Sequence, residues 1–222
     1  MKNSVNVWAT FMPLIVLFFF FGCDFEEGSQ QESHDYVNLG LPSGTLWATC
    51  NVGAKTMTDY GDFFAWGETE TKTIFDWETY KFFDDSTFTK YMTGDFLTVL
   101  EPADDVAAVS WGSDWSVPTQ EQWEELQRYT SKYWVEQNGI KGLRCVADNG
   151  NSVFFPASGR AENDGVVGVR SIGEYWSSSL YPYTFFTDKS WSFGFNTTSN
   201  SLSKQSRYNG FTVRPVRSSN LK

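Results

Sequence analysis

The sequence is organised around two segments near its C-terminus, GEYWSSS (173–179) and RYNGFTVRPVR (207–217). In the second segment, apolar and polar residues alternate from Phe211 to Arg214, which is the period of a half-buried β-strand. Asn209-Gly210, directly before it, is typical of a tight turn. Aromatic, Asn, Ser and Thr residues fill the interval between the two segments. The sequence therefore predicts a rigid frame of strands that carries a varied aromatic and polar surface.

The first 22 residues are typical of an export signal. Lys2 provides a positive start, and the 11 residues from Phe11 to Phe21 are apolar, too short a stretch for a membrane-spanning helix. Gly22-Cys23 then resembles the cleavage box of bacterial lipoproteins, in which the cysteine becomes the lipidated N-terminus. An ordinary secretory signal is the alternative. We predict a lipoprotein signal peptide at 1–22, lipidation of Cys23, and a location in the cell envelope as an outer-membrane, surface-exposed lipoprotein.

Charge and composition narrow the classes of function. The formal net charge of −10 disfavours nucleic-acid binding, because phosphate contacts need Lys and Arg. The only histidine, His34, lies in an acidic and polar segment, 23–35, which we interpret as a flexible tether. A Ser-His-Asp triad and a His/Cys zinc site therefore lack the residues they need. We predict no catalytic residue, no metal and no cofactor.

Two cysteines remain after Cys23. In an exported protein Cys50 and Cys145 can form a disulfide. The sequence does not show that the two residues lie near each other in the fold. The alternative is two small buried residues in strands. The sequence does not decide between a disulfide and two buried free cysteines.

Several short elements can be predicted before the C-terminal segments. Residues 45–52 and 60–68 have the composition of strands, and 143–156 has that of a hairpin that turns at Asp148-Asn149-Gly150. Residues 69–101 have no clear period, and we predict a long insertion or loop with short strands. We predict one domain over 36–217 and a tail over 218–222.

Two helices are predicted between these strands. Pro102–Val109 has Pro in its first turn, with Asp104 and Asp105 near its positive N-terminal end. A second helix starts at Thr119, where Thr119 and Gln122 have the spacing of a capping box. Its buried stripe contains these residues in order: Trp123, Leu126, Tyr129, Tyr133 and Trp134.

Seven segments, taken in order, resemble the FISUMP, or Lcl C-terminal-like, domains of secreted bacterial lipoproteins. These segments are LPSGTLWATCNVGA (41–54), YGDFFAWGE (60–68), DDVAAVSWG (104–112), WSVPTQEQW (115–123), GNSVFFPASG (150–159), YWSSS (175–179) and RYNGFTVRPVR (207–217). The resemblance implies a C-type-lectin-like α+β fold, in which two main helices pack on small, mostly antiparallel sheets. It also implies a binding scaffold, since most domains of this family have no assigned activity.

The composition of the C-terminal interval agrees with a binding role. Aromatic side chains supply large contact area at low entropic cost, and Asn, Ser and Thr supply adaptable hydrogen bonds. We predict a non-catalytic surface protein that recognises a glycan or a protein ligand. The predicted ligand-binding residues are Tyr181, Tyr183, Phe186, Trp191, Asn196, Asn200 and Tyr208. Phe193 and Phe195 alternate with Ser192 and Gly194, and we interpret them as the inner face of a strand.

Two other functions stay open. A structural or accessory subunit of a surface assembly would need only exposed apolar patches. An enzyme is the lesser alternative, because the start of the second helix is also similar to that of formylglycine-generating enzymes. That chemistry uses paired cysteines at a metal site in the C-terminal part of the domain, whereas no cysteine follows Cys145.

Overall fold

The computed structural model describes residues 34–182 and 188–219, and β-structure dominates them. Strands account for 41% of the structure and helices for 10%, with two helices and five small sheets in the described part. The expected C-type-lectin-like α+β fold, with two main helices packed on sheets, is therefore wrong. The physical reason is that one helix has only six residues, while the other gives way to a strand.

The elements follow one another in this order. The strands are β1 (Tyr36–Asn38), β2 (Thr45–Ala48), β3 (Phe83–Asp84), β4 (Thr87–Phe88), β5 (Thr130–Gln137), β6 (Ile140–Ala147), β7 (Ser152–Pro156), β8 (Arg160–Glu162), β9 (Gly165–Val167), β10 (Ile172–Leu180), β11 (Lys189–Asn196), β12 (Asn200–Ser206) and β13 (Val216–Ser218). The helices are α1 (Val106–Trp111), which follows a 3-10 turn at Pro102–Asp104, and α2 (Gln120–Tyr129).

All the pairs of strands in the five sheets are antiparallel. Three sheets have three strands each, in the orders β1-β2-β13, β5-β6-β7 and β10-β11-β12. The other two are the hairpins β3-β4 and β8-β9. In the first sheet Trp47 of β2 lies opposite Val216 of β13, so the beginning and the end of the domain share a sheet.

Helix α2 begins as the sequence predicts but ends earlier. The capping box is confirmed: the Thr119 hydroxyl accepts from the Gln122 N–H, and the Gln122 side chain accepts from the Thr119 N–H. Trp123 is fully buried, as expected. The extension of the helical stripe to Tyr133 and Trp134 is wrong, because both lie on β5, which pairs with β6 along its whole length.

The region of the first predicted helix contains two buried acids. Instead of one helix over Pro102–Val109, the chain makes a 3-10 turn and then α1. Asp105 caps α1, since its carboxylate accepts from the N–H groups of Ala107 and Ala108 at 2.9 and 3.1 Å and from that of Val117 at 2.9 Å. This explains why a carboxylate is tolerated there with only 4% of the residue exposed.

The other local predictions have mixed outcomes. The hairpin over 143–156 is confirmed as β6 and β7, and the insertion over 69–101 contains only the short strands β3 and β4. The strand predicted at 60–68 is absent among the described residues; a single bridge joins Phe64 to Phe211 there. Cys50 and Cys145 are both free, with Cys145 buried in β6.

The C-terminal segment lies between two aromatic cores. Phe211 and Val213 belong to one core, which includes Trp66, Trp176 and much of the 69–101 insertion. The other core is built around Trp47 and Trp123. Residues 211–214 are buried on both sides, so the expectation of a half-buried strand is wrong.

Arg214 links the elements around it. Its guanidinium donates to Asn51 Oδ1 at 2.8 Å, to the carbonyl oxygens of Ala48 and Thr49 at 3.0 and 2.9 Å, and to that of Phe154 at 3.0 Å. The guanidinium is thus held by three backbone carbonyl groups and one amide oxygen. A buried guanidinium is tolerated here because its donors are satisfied.

Candidate ligand-binding surface

The sheet β10-β11-β12 carries the residues predicted to bind a ligand. One face of it packs on the core around Trp123: Phe193 and Phe195 of β11 are buried there, as expected, and the Phe193 ring stacks on Trp123 at 4.7 Å. Since side chains two apart on a strand share a face, Trp191 continues this row. Trp191 is only partly buried, so the row of aromatic residues runs from the core to the surface.

Three side chains meet at that end of the sheet. The Tyr181 ring lies edge-on to the Trp191 ring, with 5.0 Å between the ring centres. Lys204 of β12 lies opposite Trp191 in the strand register, and its ammonium is 5.2 Å from the centre of the Tyr181 ring. The indole N–H of Trp191 is buried and makes no hydrogen bond with the residues that the structure describes. We call Tyr181, Trp191 and Lys204 the aromatic corner.

The two predicted asparagines lie at the opposite end of the same sheet. The Asn196 side-chain oxygen accepts from the N–H groups of Thr198 and Ser199 at 2.8 and 3.0 Å, so it organises the turn between β11 and β12. Gln127 of α2 donates to the Asn200 backbone carbonyl at 3.3 Å. Both asparagines are thus occupied by contacts within the protein, and the structure does not bring them to the aromatic corner.

The remaining predicted site residues lie either away from the aromatic corner or outside the described residues. Tyr208 follows β12 and packs edge-on to Trp77 of the insertion, at 4.7 Å between ring centres. Tyr183, Phe186 and Cys23 lie outside the residues that the structure describes. Of the seven predicted ligand-binding residues, Tyr181 and Trp191 are the pair for which the structure shows mutual contact.

Glu174 lies on the other face of this sheet and was missed by the sequence analysis. It is opposite Gly194, and a Cβ atom at residue 194 would lie 2.9 Å from Glu174 Oε2, so the glycine makes room for the carboxylate. Oε2 is buried and has no hydrogen-bond partner among residues 34–182 and 188–219. Burial raises the pKa of the Glu174 carboxyl to about 7, although the nearby Arg160 charge and the Ser192 hydroxyl act in the opposite direction.

A cluster of charged side chains around Asp104 holds the 69–101 insertion against the rest of the domain. The Asp104 carboxylate binds the ammonium groups of Lys81 and Lys90 at 2.9 and 2.6 Å and the Tyr91 hydroxyl at 2.8 Å. Burial disfavours the Asp104 charge, but these three hydrogen bonds outweigh it and hold the pKa of Asp104 below its usual value. Because each group has a partner within the protein, the cluster serves the packing of the insertion.

Arg207, which follows β12, also holds the 69–101 insertion. Its side chain is fully buried, and it donates to the Tyr80 hydroxyl and to the carbonyl oxygens of Tyr91 and Lys90, all at 3.0–3.1 Å. Its guanidinium also lies 4.4 Å from the centre of the Phe88 ring. The insertion is therefore part of the folded domain that supports the candidate surface.

Comparisons with known proteins found no relative of this chain. No family model, no curated protein and no solved structure matches it. The resemblance to FISUMP domains accordingly remains a prediction from the seven motifs.

Residues 34–182 and 188–219 contain no group of three or more His, Cys, Asp or Glu side chains that could hold a metal ion. No helix in the same part of the chain is long and apolar enough to cross a membrane.

Proposed function

We propose that this protein is a non-catalytic binding protein of the cell envelope, anchored in the outer membrane by a lipid on Cys23 and exposed at the cell surface. The anchor is supported by the order of Lys2, the apolar stretch Phe11–Phe21 and Gly22-Cys23. The ligand is a glycan or a protein, bound at the aromatic corner.

The observation that carries the binding role is the position of the aromatic corner. Trp191 belongs to a strand whose neighbouring residues Phe193 and Phe195 are locked in the core, so its backbone is held by a rigid element. Its ring and that of Tyr181 lie in contact where the sheet reaches the surface. Rigid aromatic side chains beside a cation lose little entropy on binding and suit stacking against sugar rings or partner side chains.

Two side chains of types common in catalytic sites, those of His34 and Cys145, are held by packing in this fold. The imidazole of His34, the single histidine of the chain, stacks on the Trp111 ring at 3.7 Å. Cys145 is fully buried, and burial raises the pKa of its thiol to about 12, so the thiol stays protonated and unreactive at neutral pH.

An array experiment tests the proposal. The full chain is applied to glycan and host-protein arrays, with and without a chelator, and the best ligand is then titrated against a variant with Tyr181→Ser and Trp191→Ser. We expect the variant to lose at least about tenfold in affinity, because aromatic anchors dominate binding energy. The variant should stay folded at the temperature of the binding measurement, because both side chains are only partly buried.

Tyr133→Ser is the matched control, because Tyr133 is an exposed tyrosine on β5. It should bind as the wild type does. Equal affinity of the Tyr181→Ser, Trp191→Ser variant and the wild type would contradict the proposal. Recovery of the protein only as a subunit of a larger envelope assembly, with no array ligand, would favour the accessory role.

A further inference from the structure

The end of the insertion and helix α1 present a set of exposed apolar side chains. Phe96 is 91% exposed, the largest fraction among the large apolar residues in the described part of the chain, and Met92, Val99 and Val109 are exposed as well. Val99 and Val109 line one groove of about 330 Å³, and Phe96 lies three residues before Val99, within about 11 Å of it. We call Met92, Phe96, Val99 and Val109 the apolar patch.

A fixed turn holds the Phe96 ring away from the domain. The Asp95 carboxylate accepts from two backbone N–H groups of the loop, at 3.0 and 2.9 Å. Phe96 has a φ of 60°, which bulky residues rarely adopt. On the C-terminal side of the turn, Leu97 packs against the core and the Thr98 carbonyl accepts from the Leu180 N–H at 2.8 Å. The outward position of the ring is therefore built into the loop.

The charges in and beside the loop are already engaged within the protein. Asp95 is the single ionisable residue between Met92 and Leu100, and its carboxylate holds the turn. The Lys90 ammonium, on the N-terminal side, binds the carboxylates of Glu101 and Asp104 at 2.5 and 2.6 Å. Attraction of a partner to the apolar patch therefore comes from the burial of apolar surface.

The chain enters the domain beside the apolar patch. The His34 imidazole stacks on the Trp111 ring of α1 at 3.7 Å, and its centre lies 6.2 Å from that of the Trp115 ring. Trp115 lines the same groove as Val99 and Val109. The stack thus fixes the start of the domain on the side that carries the patch.

The length of the chain before His34 determines which side of the domain can face the membrane. Ten residues, 24–33, separate Cys23 from His34, and even fully extended they span at most about 40 Å. A compact domain of this length is roughly 40 Å across, so a path around its surface to the opposite side is about 60 Å. A lipid on Cys23 therefore requires the membrane to lie on the side of His34 and the patch.

We propose that the apolar patch rests on the phospholipid bilayer that holds the Cys23 lipid, with the Phe96 ring inserted at the boundary between headgroups and acyl chains. The proposal depends on the lipid anchor proposed above. Insertion removes the patch from water and adds to the binding energy of the anchor. A second copy of the chain fits less well, because it would have to enter the space between the domain and the bilayer.

Spin labelling of the lipidated full-length protein measures the depth of the patch. The protein carries Cys50→Ala and a nitroxide at Phe96→Cys, and it is reconstituted in phosphatidylcholine vesicles. Cys23 bears the lipid and Cys145 is fully buried, so the label attaches at position 96. Collision rates with oxygen and with a water-soluble nickel chelate give the depth. We expect a label roughly 5–10 Å below the headgroups, at a depth that does not change with salt.

Tyr133→Cys is the matched control, because Tyr133 is an exposed aromatic residue on β5, outside the patch. Its label should collide mainly with the nickel chelate. A label at Val109→Cys, on α1, should lie near the headgroups. Adding Phe96→Asp to that variant should move the Val109→Cys label toward water, because a carboxylate is costly to insert among acyl chains.

Two results would overturn this proposal and leave the anchor intact. In protein whose Cys23 carries a fatty acid, the Phe96→Cys label could be as accessible to the nickel chelate as the Tyr133→Cys label. Alternatively, Phe96→Cys labels could broaden each other's spectra at high dilution in lipid without a rise in oxygen collisions, which would assign the patch to a second copy. Absence of a fatty acid on Cys23 would overturn the anchor and this proposal together.

Discussion

Glu174 is a single residue whose charge the fold alters near neutral pH. Its carboxylate lies over Gly194 with one oxygen buried and without a hydrogen bond to the described part of the chain, and burial raises its pKa to about 7. Because the folded state holds this proton more tightly than the unfolded chain does, the contribution of Glu174 to stability is greatest below its usual pKa of 4.5. That contribution is lost as the pH rises from there to about 7.

Glu174→Gln should remove this pH dependence. The free energy of unfolding of the wild type, relative to that of the variant, should fall between about pH 5 and about pH 8. The fall should be a few kcal/mol at most, because one pKa unit corresponds to about 1.4 kcal/mol. Urea unfolding at both pH values measures it, with Glu70→Gln as an exposed control. A difference between wild type and Glu174→Gln that stays constant with pH would contradict the prediction.

Two buried arginines show what a sequence can and cannot reveal about single residues. The alternation from Phe211 to Arg214 predicts a half-buried strand, but it does not reveal that the Arg214 guanidinium binds the carbonyls of Ala48, Thr49 and Phe154. Arg207 was missed, since its partner Tyr80 lies 127 positions away in an insertion without periodicity. Glu174 was missed for a similar reason, because the space above Gly194 exists only once β10 and β11 pair.

At the scale of elements, α2 connects several aromatic side chains through Trp123. The Trp123 ring lies 4.7 Å from those of Trp47 and Phe193, and its indole N–H donates to the Trp176 carbonyl at 3.2 Å. The helix thereby joins β2 and β11, which belong to different sheets. Its ten residues would be marginal as an isolated helix, so packing and the capping box hold it in place.

Trp123→Ala should destabilise the protein by about 3–5 kcal/mol, as the truncation of buried aromatic residues does. Denaturant unfolding measures the change. Trp134→Ala is the comparison, because Trp134 is only partly buried at the edge of the same core and should cost much less. Equal losses in the two variants would show that α2 does not centre this core.

Elements with local signals were predicted correctly, and those that depend on distant partners were not. The capping box and the β6-β7 hairpin are encoded within a few residues. The helical period that seemed to continue through Tyr133 and Trp134 is overridden by the eight-residue pairing of β5 with β6. Likewise, 60–68 looks like a strand but forms a single bridge, at Phe64, among the described residues, so it stays irregular.

At the scale of the whole molecule, the prediction of one binding surface was limited by topology. The sequence places Trp191, Asn196 and Asn200 close together, but along β11 and β12 Trp191 lies at one end and the asparagines at the other. The Tyr208 ring packs on Trp77 of the 69–101 insertion instead. Composition predicts that a segment is rich in contact residues, whereas the register of the strands decides which of them meet.

Attachment to the membrane is also predicted for the molecule as a whole. Cys23→Ala should release the protein from the membrane fraction or leave it unprocessed, because the cysteine is the predicted site of lipid attachment. Metabolic labelling with a fatty acid measures the anchor, and Cys50→Ala is the control, since Cys50 lies within the folded domain. Unchanged labelling of the Cys23 variant would contradict the prediction.

The pairing of β2 with β13 also determines when the protein can fold. The guanidinium of Arg214 binds the carbonyl of Ala48 across 166 positions of sequence. At typical rates of synthesis of about 5–20 residues per second, roughly 8–35 seconds separate the emergence of the two residues from the ribosome. Until then β2 has no strand on its β13 side, and the core around Trp47 stays open. The sheet that holds β2 can therefore be completed only after almost the whole domain has been synthesised.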